Sequence, residues 1–167
     1  ALYIGMYHWA EMAEDTKVAE FLMSVGNGLK WGLLSRSYHA DDICVGQMYL
    51  EMYKKHQNEK MIQPLKERAF YVASHPSDAV LSKRDPVGKS TRWSWCDALF
   101  MAPPVYAGLY TLTGEKVYKD YLMSEYKACT DSLYDHDESL YDRDGLRIGV
   151  PEPNGAKQFW GRGNGWV

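Results

Sequence analysis

No apolar run in this chain approaches the ~18–20 residues that a membrane-spanning helix needs, so these residues exclude a helical membrane anchor. Charge of one sign is also scarce: 19 Lys and Arg against 22 Asp and Glu leave a formal net charge of −3 over 167 residues. Without a basic stripe to track a phosphate backbone, nucleic acid is excluded as a partner. Cysteine is limited to Cys44, Cys96 and Cys129. Set among apolar or small neighbours and unpaired in spacing, they read as buried thiols, not as a disulfide framework or a zinc site. The start, Ala1 to Tyr7, lacks a basic region and a cleavage site, and it enters a helical pattern at once without an initiator Met. The chain therefore reads as soluble with its N-terminus missing, and its compartment, cytoplasmic or periplasmic, stays open.

Aromatic residues are plentiful by contrast, with 13 Tyr and 6 Trp. Such rings serve either of two ends. They fill a large helical core, or they line a sugar-binding cleft, where the apolar face of a pyranose packs on an aromatic plane and its hydroxyls find polar rims.

Apolar residues recur at helical spacing through 1–13, 17–34, 43–55, 60–73, 98–112 and 116–133, with little strand-like alternation before residue 133. The class is all-α. Breaks fall at Glu14-Asp15-Thr16, at Lys54 to Glu59 and at Thr113-Gly114-Glu115, and each is followed by a Lys and an apolar residue (Lys17-Val18, Lys60-Met61, Lys116-Val117). This recurrence is that of a helical-hairpin repeat. Residues 74–95, with His75-Pro76, Asp85-Pro86 and Gly88, form a long loop between hairpins, and such loops are commonly functional. Residues 132–144 hold an echo, Ser132-Leu133-Tyr134-Asp135 and Ser139-Leu140-Tyr141-Asp142, that predicts a short β-hairpin. Its Asp135, Asp137, Asp142 and Asp144 do not follow the spacing of an EF-hand loop and suit a solvated hairpin as well as a calcium site; no metal is expected.

Reactive and sugar-friendly residues concentrate in three segments: Ser37 to Asp42, Arg92 to Asp97, and Phe159 to Trp166. The first two immediately precede the first helix of a hairpin, and the third stands where another such helix should begin. If successive hairpins ring an axis with their first helices inside, all three segments meet at one end and line one cleft. Asp41 or Asp42 and Asp97 then occupy comparable places in successive repeats. Paired carboxylates across a cleft suit acid–base work on a glycosidic linkage. Each Asp is equally a helix N-cap. Asp97 departs from that plainer role because Trp95, Cys96 and Ala98-Leu99-Phe100-Met101 give it an apolar setting that raises the pKa of a proton donor.

Three stretches resemble a known family: Trp93 to Ala107 (Trp-Ser-Trp-Cys-Asp-Ala-Leu-Phe-Met-Ala-Pro-Pro-Val-Tyr-Ala), Leu112 to Tyr118, and Phe159 to Val167 (Phe-Trp-Gly-Arg-Gly-Asn-Gly-Trp-Val). They are similar to glycoside hydrolase family 105, the unsaturated rhamnogalacturonyl hydrolases, with unsaturated glucuronyl hydrolases more distant. The resemblance implies an (α/α)6 toroid of helical hairpins, present here as a partial barrel in which residues 1–167 supply about half of one catalytic domain. It implies removal of a 4,5-unsaturated uronic acid, galacturonyl in pectin breakdown, from the non-reducing end of oligosaccharides released by a lyase. Carried over residue by residue, the proton donor falls on Asp97 and the second carboxylate on Asp41, with Asp42 one register away. Trp95, Trp160 and Trp166 fall on positions that shape the sugar pocket, and Arg162 on one that meets the uronate; His39 and Trp93 complete the expected substrate contacts. The partner implied is an unsaturated oligosaccharide, with neither metal nor organic cofactor. A half ring also implies association that covers its open side. Another α/α-barrel carbohydrate enzyme and a non-catalytic helical-repeat scaffold are the competing readings.

Overall fold

The computed structural model describes residues 1–79, 81 and 92–167. Among these, helices α1 (Leu2–Ala13), α2 (Thr16–Gly28), α3 (Ala40–Ile43), α4 (Gly46–His56), α5 (Gln63–Ser74), α6 (Ala98–Met101), α7 (Pro103–Thr113) and α8 (Lys116–Leu133) precede a two-stranded hairpin of β1 (Tyr134–Asp135) and β2 (Leu140–Tyr141). A short helix α9 (Gly161–Trp166) follows.

The hairpin repeat has one recurring corner. Helices α1, α4 and α7 end on Glu14, Gln57 and Gly114, at φ 52°, 53° and 73°, and each of these residues donates its N–H back to Ala10, Tyr53 or Tyr110. Left-handed backbone costs about 1–2 kcal/mol for a residue with a Cβ, so the hairpin geometry is imposed on Glu14 and Gln57 and comes free only at Gly114. The chain then re-enters a helix. The Asp15 carboxylate caps α2 by accepting from Lys17 and Val18 N–H, and the Asn58 side chain accepts from Lys60 N–H at a 3-10 turn leading to α5.

Side by side, α1 packs on α4 and α4 on α7, while α5 packs on α8 behind them. Leu65, Val72, Val105 and Leu109 fill the space between these rows, and a second cluster of Tyr7, Leu22, Trp31, Met48 and Tyr49 fills the space under α1 and α2. Gly46 lets α4 approach closely: a Cβ there would lie 2.6 Å from a Leu65 methyl and 3.3 Å from Val105. All three cysteines are buried and free, and no helix among the described residues is long and apolar enough to cross a membrane.

Three stretches differ from the spacing-based expectation. The stretch 17–34 stops being helical at Gly28 because Lys30 and Trp31 turn left-handed and fold the Trp31 indole onto Gly26, where a Cβ would lie 2.4 Å from the ring. Stretch 43–55 starts on the last residue of the single turn α3 and becomes helical again only at Gly46 of α4, and stretch 98–112 resolves into the single turn α6 followed by the longer α7. At the second break Pro104 has no N–H for the Phe100 carbonyl; the buried Gln47 carboxamide of α4 supplies one, donating to the Phe100 and Met101 carbonyls at 2.8 and 3.0 Å. The expected β-hairpin is present, with Tyr134 opposite Tyr141 and Asp135 opposite Leu140. Asp85, Pro86 and Gly88 of the expected loop lie outside the described residues.

Leu65 is fully buried where α4, α5 and α7 meet. Leu65→Ala is expected to lower unfolding stability by about 2–5 kcal/mol, measured by denaturant titration, because the helices around the lost methyls cannot collapse into the void.

Candidate active site

The Trp-rich segment Arg92 to Asp97 enters the fold through buried anchors. Ahead of α6, Arg92 lays its guanidinium on the Glu125 carboxylate of α8, with Nε to Oε1 at 3.0 Å and Nη2 to Oε1 at 2.8 Å, and Glu125 also accepts the Trp93 N–H at 3.3 Å. The Trp93 ring is buried among Tyr106 and Tyr121. Beyond it the backbone pairs with the segment after the β-hairpin, through the antiparallel bridge Trp95–Asp144 and a 3.0 Å bond from Cys96 N–H to the Arg143 carbonyl. Asp97 emerges from this double anchorage at the start of α6.

A cleft of about 310 Å3 lies there, lined by His39, Ala40, Asp41, Arg92, Trp93, Ser94, Trp95, Asp97, Ala98, Trp160 and Arg162. The structure thus brings residues of all three sequence segments to one place. Trp95 and Trp160 meet edge to face at 6.1 Å, and a guanidinium lies over each indole, Arg143 over Trp95 at 4.6 Å and Arg162 over Trp160 at 4.8 Å. Such a wall of aromatic faces and cations is suited to an acidic sugar.

Asp97 occupies the N-cap position of α6 yet does not cap it: its backbone is helical and its side chain makes no cap hydrogen bond. Burial, followed by the nearby Asp41 charge, pushes its carboxyl above the ordinary range, against the opposing pull of its own backbone N–H, Arg162 and His39. A raised pKa favours the protonated form that a proton donor needs. Across from it, His39 caps α3 by accepting the Asp41 N–H on Nδ1 at 3.2 Å, which leaves the ring proton on Nε2. The Asp41 side chain is half exposed and belongs to the cleft.

Asp42 and Trp166 stand elsewhere. The Asp42 side chain is 2% exposed and is held by Arg36, through the backbone N–H at 2.9 Å and the guanidinium at 2.5 and 3.1 Å. Burial raises its pKa, but the Arg36 hydrogen bonds and charge outweigh this and hold it below the ordinary carboxylate range. Trp166 packs against Phe100, with ring centroids 4.4 Å apart, in a separate apolar groove beside α1. Conversely, Arg92 and Ser94 line the cleft without having been singled out from the sequence; the one available signal was their position inside the Trp-rich segment. The hairpin carboxylates serve structure: Asp135 accepts from Lys157 at 2.7 Å, and Asp144 from Arg143 at 2.6 Å and the Leu146 N–H.

Comparison with known proteins adds the following. The family model described as Glycosyl Hydrolase Family 88 matches residues 1–167. The chain is 33% identical to an unsaturated 3S-rhamnoglycuronyl hydrolase of Alteromonas sp. (strain LOR) and 34% identical to one of Formosa agariphila; all of this chain is covered, but only 43% and 47% of those relatives. It therefore spans less than half the length of the curated relatives it matches. Among solved structures it resembles a protein described as a polysaccharide lyase (TM-score 0.84, 23% identity), a family 88 glycosyl hydrolase from Bacteroides vulgatus (0.80, 24%) and a family 105 glycoside hydrolase of C. acetobutylicum (0.68, 19%); 98–99% of this chain is covered, and 48–49% of theirs. These likenesses identify the helical hairpins as those of an α/α toroid. The resemblance to family 105 holds at the level of fold and of a related family, whereas the family model that matches is that of family 88.

Asp41 and Asp42 are neighbours with opposite surroundings, and their substitution separates them. Asp42→Asn is expected to cost about 1.5–3 kcal/mol at neutral pH, the worth of hydrogen bonds to a charged group. Because the folded-state pKa of Asp42 is depressed, its stabilisation is complete above the unfolded value of about 3.9 and is lost as pH falls through the folded value. The melting-temperature gap between wild type and Asp42→Asn should accordingly close in acid. Asp41→Asn should stay within about 0.5 kcal/mol of wild type throughout.

Proposed function

The chain belongs to glycosyl hydrolase family 88, and from that premise we propose that the protein carrying it removes a 4,5-unsaturated uronic acid from the non-reducing end of oligosaccharides produced by a lyase. The observation that carries this reading is Asp97: a carboxyl of raised pKa with no capping duty, in a cleft that also holds a second carboxylate, two indoles and a guanidinium.

The chemistry suits the geometry. Asp97 gives its proton to C4 of the vinyl ether, and positive charge develops at C5 beside the ring oxygen. Water adds at C5 and returns a proton to Asp97, so the net change is hydration of the double bond. The hemiketal at C5 then opens, the former ring oxygen becomes a hydroxyl on C1, and the resulting hemiacetal expels the remaining sugar. Asp41 stabilises the developing charge and orients the water. Trp95 and Trp160 pack on the ring faces, Arg162 meets the uronate carboxylate, and His39 offers Nε2–H to a hydroxyl.

For the linked sugar we place rhamnose. The support is that the chain is 33–34% identical to two proteins named unsaturated 3S-rhamnoglycuronyl hydrolase. A repeat scaffold spreads its contacts along the array, so the concentration of charged and aromatic residues at one cleft speaks against that alternative. We also propose that residues 1–167 form about half of the barrel. Leu2, Trp9 and Met12 of α1 are 72%, 58% and 79% exposed, and the remaining hairpins of the toroid would cover them.

The test is the fall in absorbance of the unsaturated uronate band when the full-length protein meets unsaturated glycuronyl-rhamnose disaccharides released by lyases from glucuronyl-containing and from galacturonyl-containing polymers. Asp97→Asn is expected to reduce turnover by ~10²–10⁴-fold, in the range of general acid catalysis, with the melting temperature unchanged. A fall of less than about tenfold, or ~1.4 kcal/mol, would move the role to Asp41. Because the acid must be protonated to act, activity should decline as pH rises through an apparent pKa above the usual Asp value of about 3.9.

A further inference from the structure

The third motif contains a polar residue that the proposed chemistry does not use. Asn164 lies on α9 with its carboxamide half-buried against β2. Its Oδ1 accepts the Tyr141 N–H at 2.7 Å, and its Nδ2 donates to the Tyr141 carbonyl at 2.9 Å and to the Trp160 carbonyl at 3.2 Å. One carboxamide thus satisfies both peptide groups of the last residue of β2, as a neighbouring strand would. Only Asn has the length and the paired donor and acceptor for this: Asp would turn an oxygen toward two carbonyl oxygens, and Ala would take this partner from both Tyr141 peptide groups, leaving the Trp160 carbonyl only the residue-164 backbone N–H at 3.0 Å.

Immediately before it, Gly163 seals the other side. A Cβ at Gly163 would lie 2.6 Å from Cys96 Sγ and 2.4 Å from the Trp160 ring, so α9 rests directly on the residue that precedes Asp97. A six-residue helix has little stability of its own. Its position relative to the cleft is therefore set by these two contacts, and the residues it brings there are Trp160 at its N-cap and Arg162 in its first turn.

We infer that Asn164 is a positioning residue: its carboxamide clamps α9 to the β-hairpin and thereby holds Arg162 and Trp160 in the cleft that contains Asp97. The inference rests on the hydrolytic reading of that cleft. It also gives the β-hairpin a task, since β2 is the surface to which the clamp attaches.

The charged groups around Asp97 make the clamp measurable. Asp41 and His39 act on it from α3, Arg162 acts on it from α9, and the Cys96 and Cys129 thiols beside it are pushed up to about 12 and so stay neutral. Of these, Arg162 alone depends on α9. It draws the Asp97 pKa down, so releasing the clamp should let that pKa rise and move the alkaline limb of the pH–rate profile to higher pH.

The experiment uses the full-length protein with Asn164→Ala, Asn164→Asp, Arg162→Gln and the Asn164→Ala/Arg162→Gln double variant, assayed on the unsaturated glycuronyl-rhamnose disaccharide. Asn164→Ala is expected to raise KM about tenfold and to displace the alkaline limb upward, in the same direction as Arg162→Gln. In the double variant the two losses should fall short of adding, because the share of the Asn164→Ala loss that acts through Arg162 is already gone in Arg162→Gln. Asn164→Asp keeps one of the three hydrogen bonds and should show the same pattern, which preserves the comparison if Asn164→Ala does not fold. A lowered melting temperature with wild-type KM and pH profile, or additive effects in the double variant, would overturn the inference. If the wild-type protein leaves the disaccharide intact, the hydrolytic reading fails instead. The clamp is then judged by the NMR signals of the Trp160 indole N–H and Arg162 Nε–H in Asn164→Asp: displaced signals support it, and unchanged signals overturn it.

Discussion

A single buried carboxylate, that of Glu125, ties the chemistry to the scaffold. It sits in the middle of α8, inside the packed helical layers, where an unpaired negative charge would be costly. Its needs are met by the Arg92 guanidinium and the Trp93 N–H. The chain arriving at the cleft is thus fixed to a helix of the second row before it reaches Trp95 and Asp97. Trp93 then fills the core beside Tyr106 and Tyr121, so the polar anchor and the apolar one act on consecutive residues. Breaking such a pair strands a buried charge, which gives Glu125 a strong hold on the register of everything that follows.

The same device recurs with other chemistry. Gln47 in α4 reaches across to the carbonyls that the Pro103-Pro104 break leaves open, joining the first helices of two successive hairpins. Arg36 closes on Asp42 and fixes the turn that presents His39 and Asp41. The bridge between Trp95 and Asp144 ties the post-hairpin segment to the one that carries Asp97. Buried polar groups find partners here at the entrances to short helices, and those are the points where the cleft residues emerge. No buried side-chain nitrogen or oxygen among the described residues lacks a hydrogen-bond partner. Contacts saturated in this way leave the cleft's side chains in defined positions, as preorganised electrostatic stabilisation requires.

Much of this architecture was legible in the residues. Helical spacing located the hairpins because α1, α4 and α7 must bury a stripe on their neighbours while the turns between hairpins remain polar. The early end of α2 was not legible. Trp31 fits a helical pattern equally well, and only the space over Gly26 explains why it turns back. The splitting of the first helices was half legible: Pro103 and Pro104 announce one break, whereas nothing in Cys44-Val45 announces the other. At the cleft, the equivalence of Asp41 or Asp42 with Asp97 could be read from their places in the repeat. The guanidinium over Trp95 could not, because Arg143 reaches the wall from a segment far along the chain.

The sequence by itself determined the helical class, the hairpin period, the family motifs and the three segments that gather at one end, since each rests on local spacing and residue type. The tertiary structure alone decided which neighbour in each motif faces the cleft. Consecutive residues of a helical turn point about 100° apart, so Asp41 and Asp42 could not both enter it, and the position of Arg36 gave the buried place to Asp42. Likewise Trp160 lines the cleft while Trp166 turns away to Phe100, and Asn164 faces the hairpin, not the cleft. Those choices are made by contacts between segments distant in the chain, which local spacing does not encode.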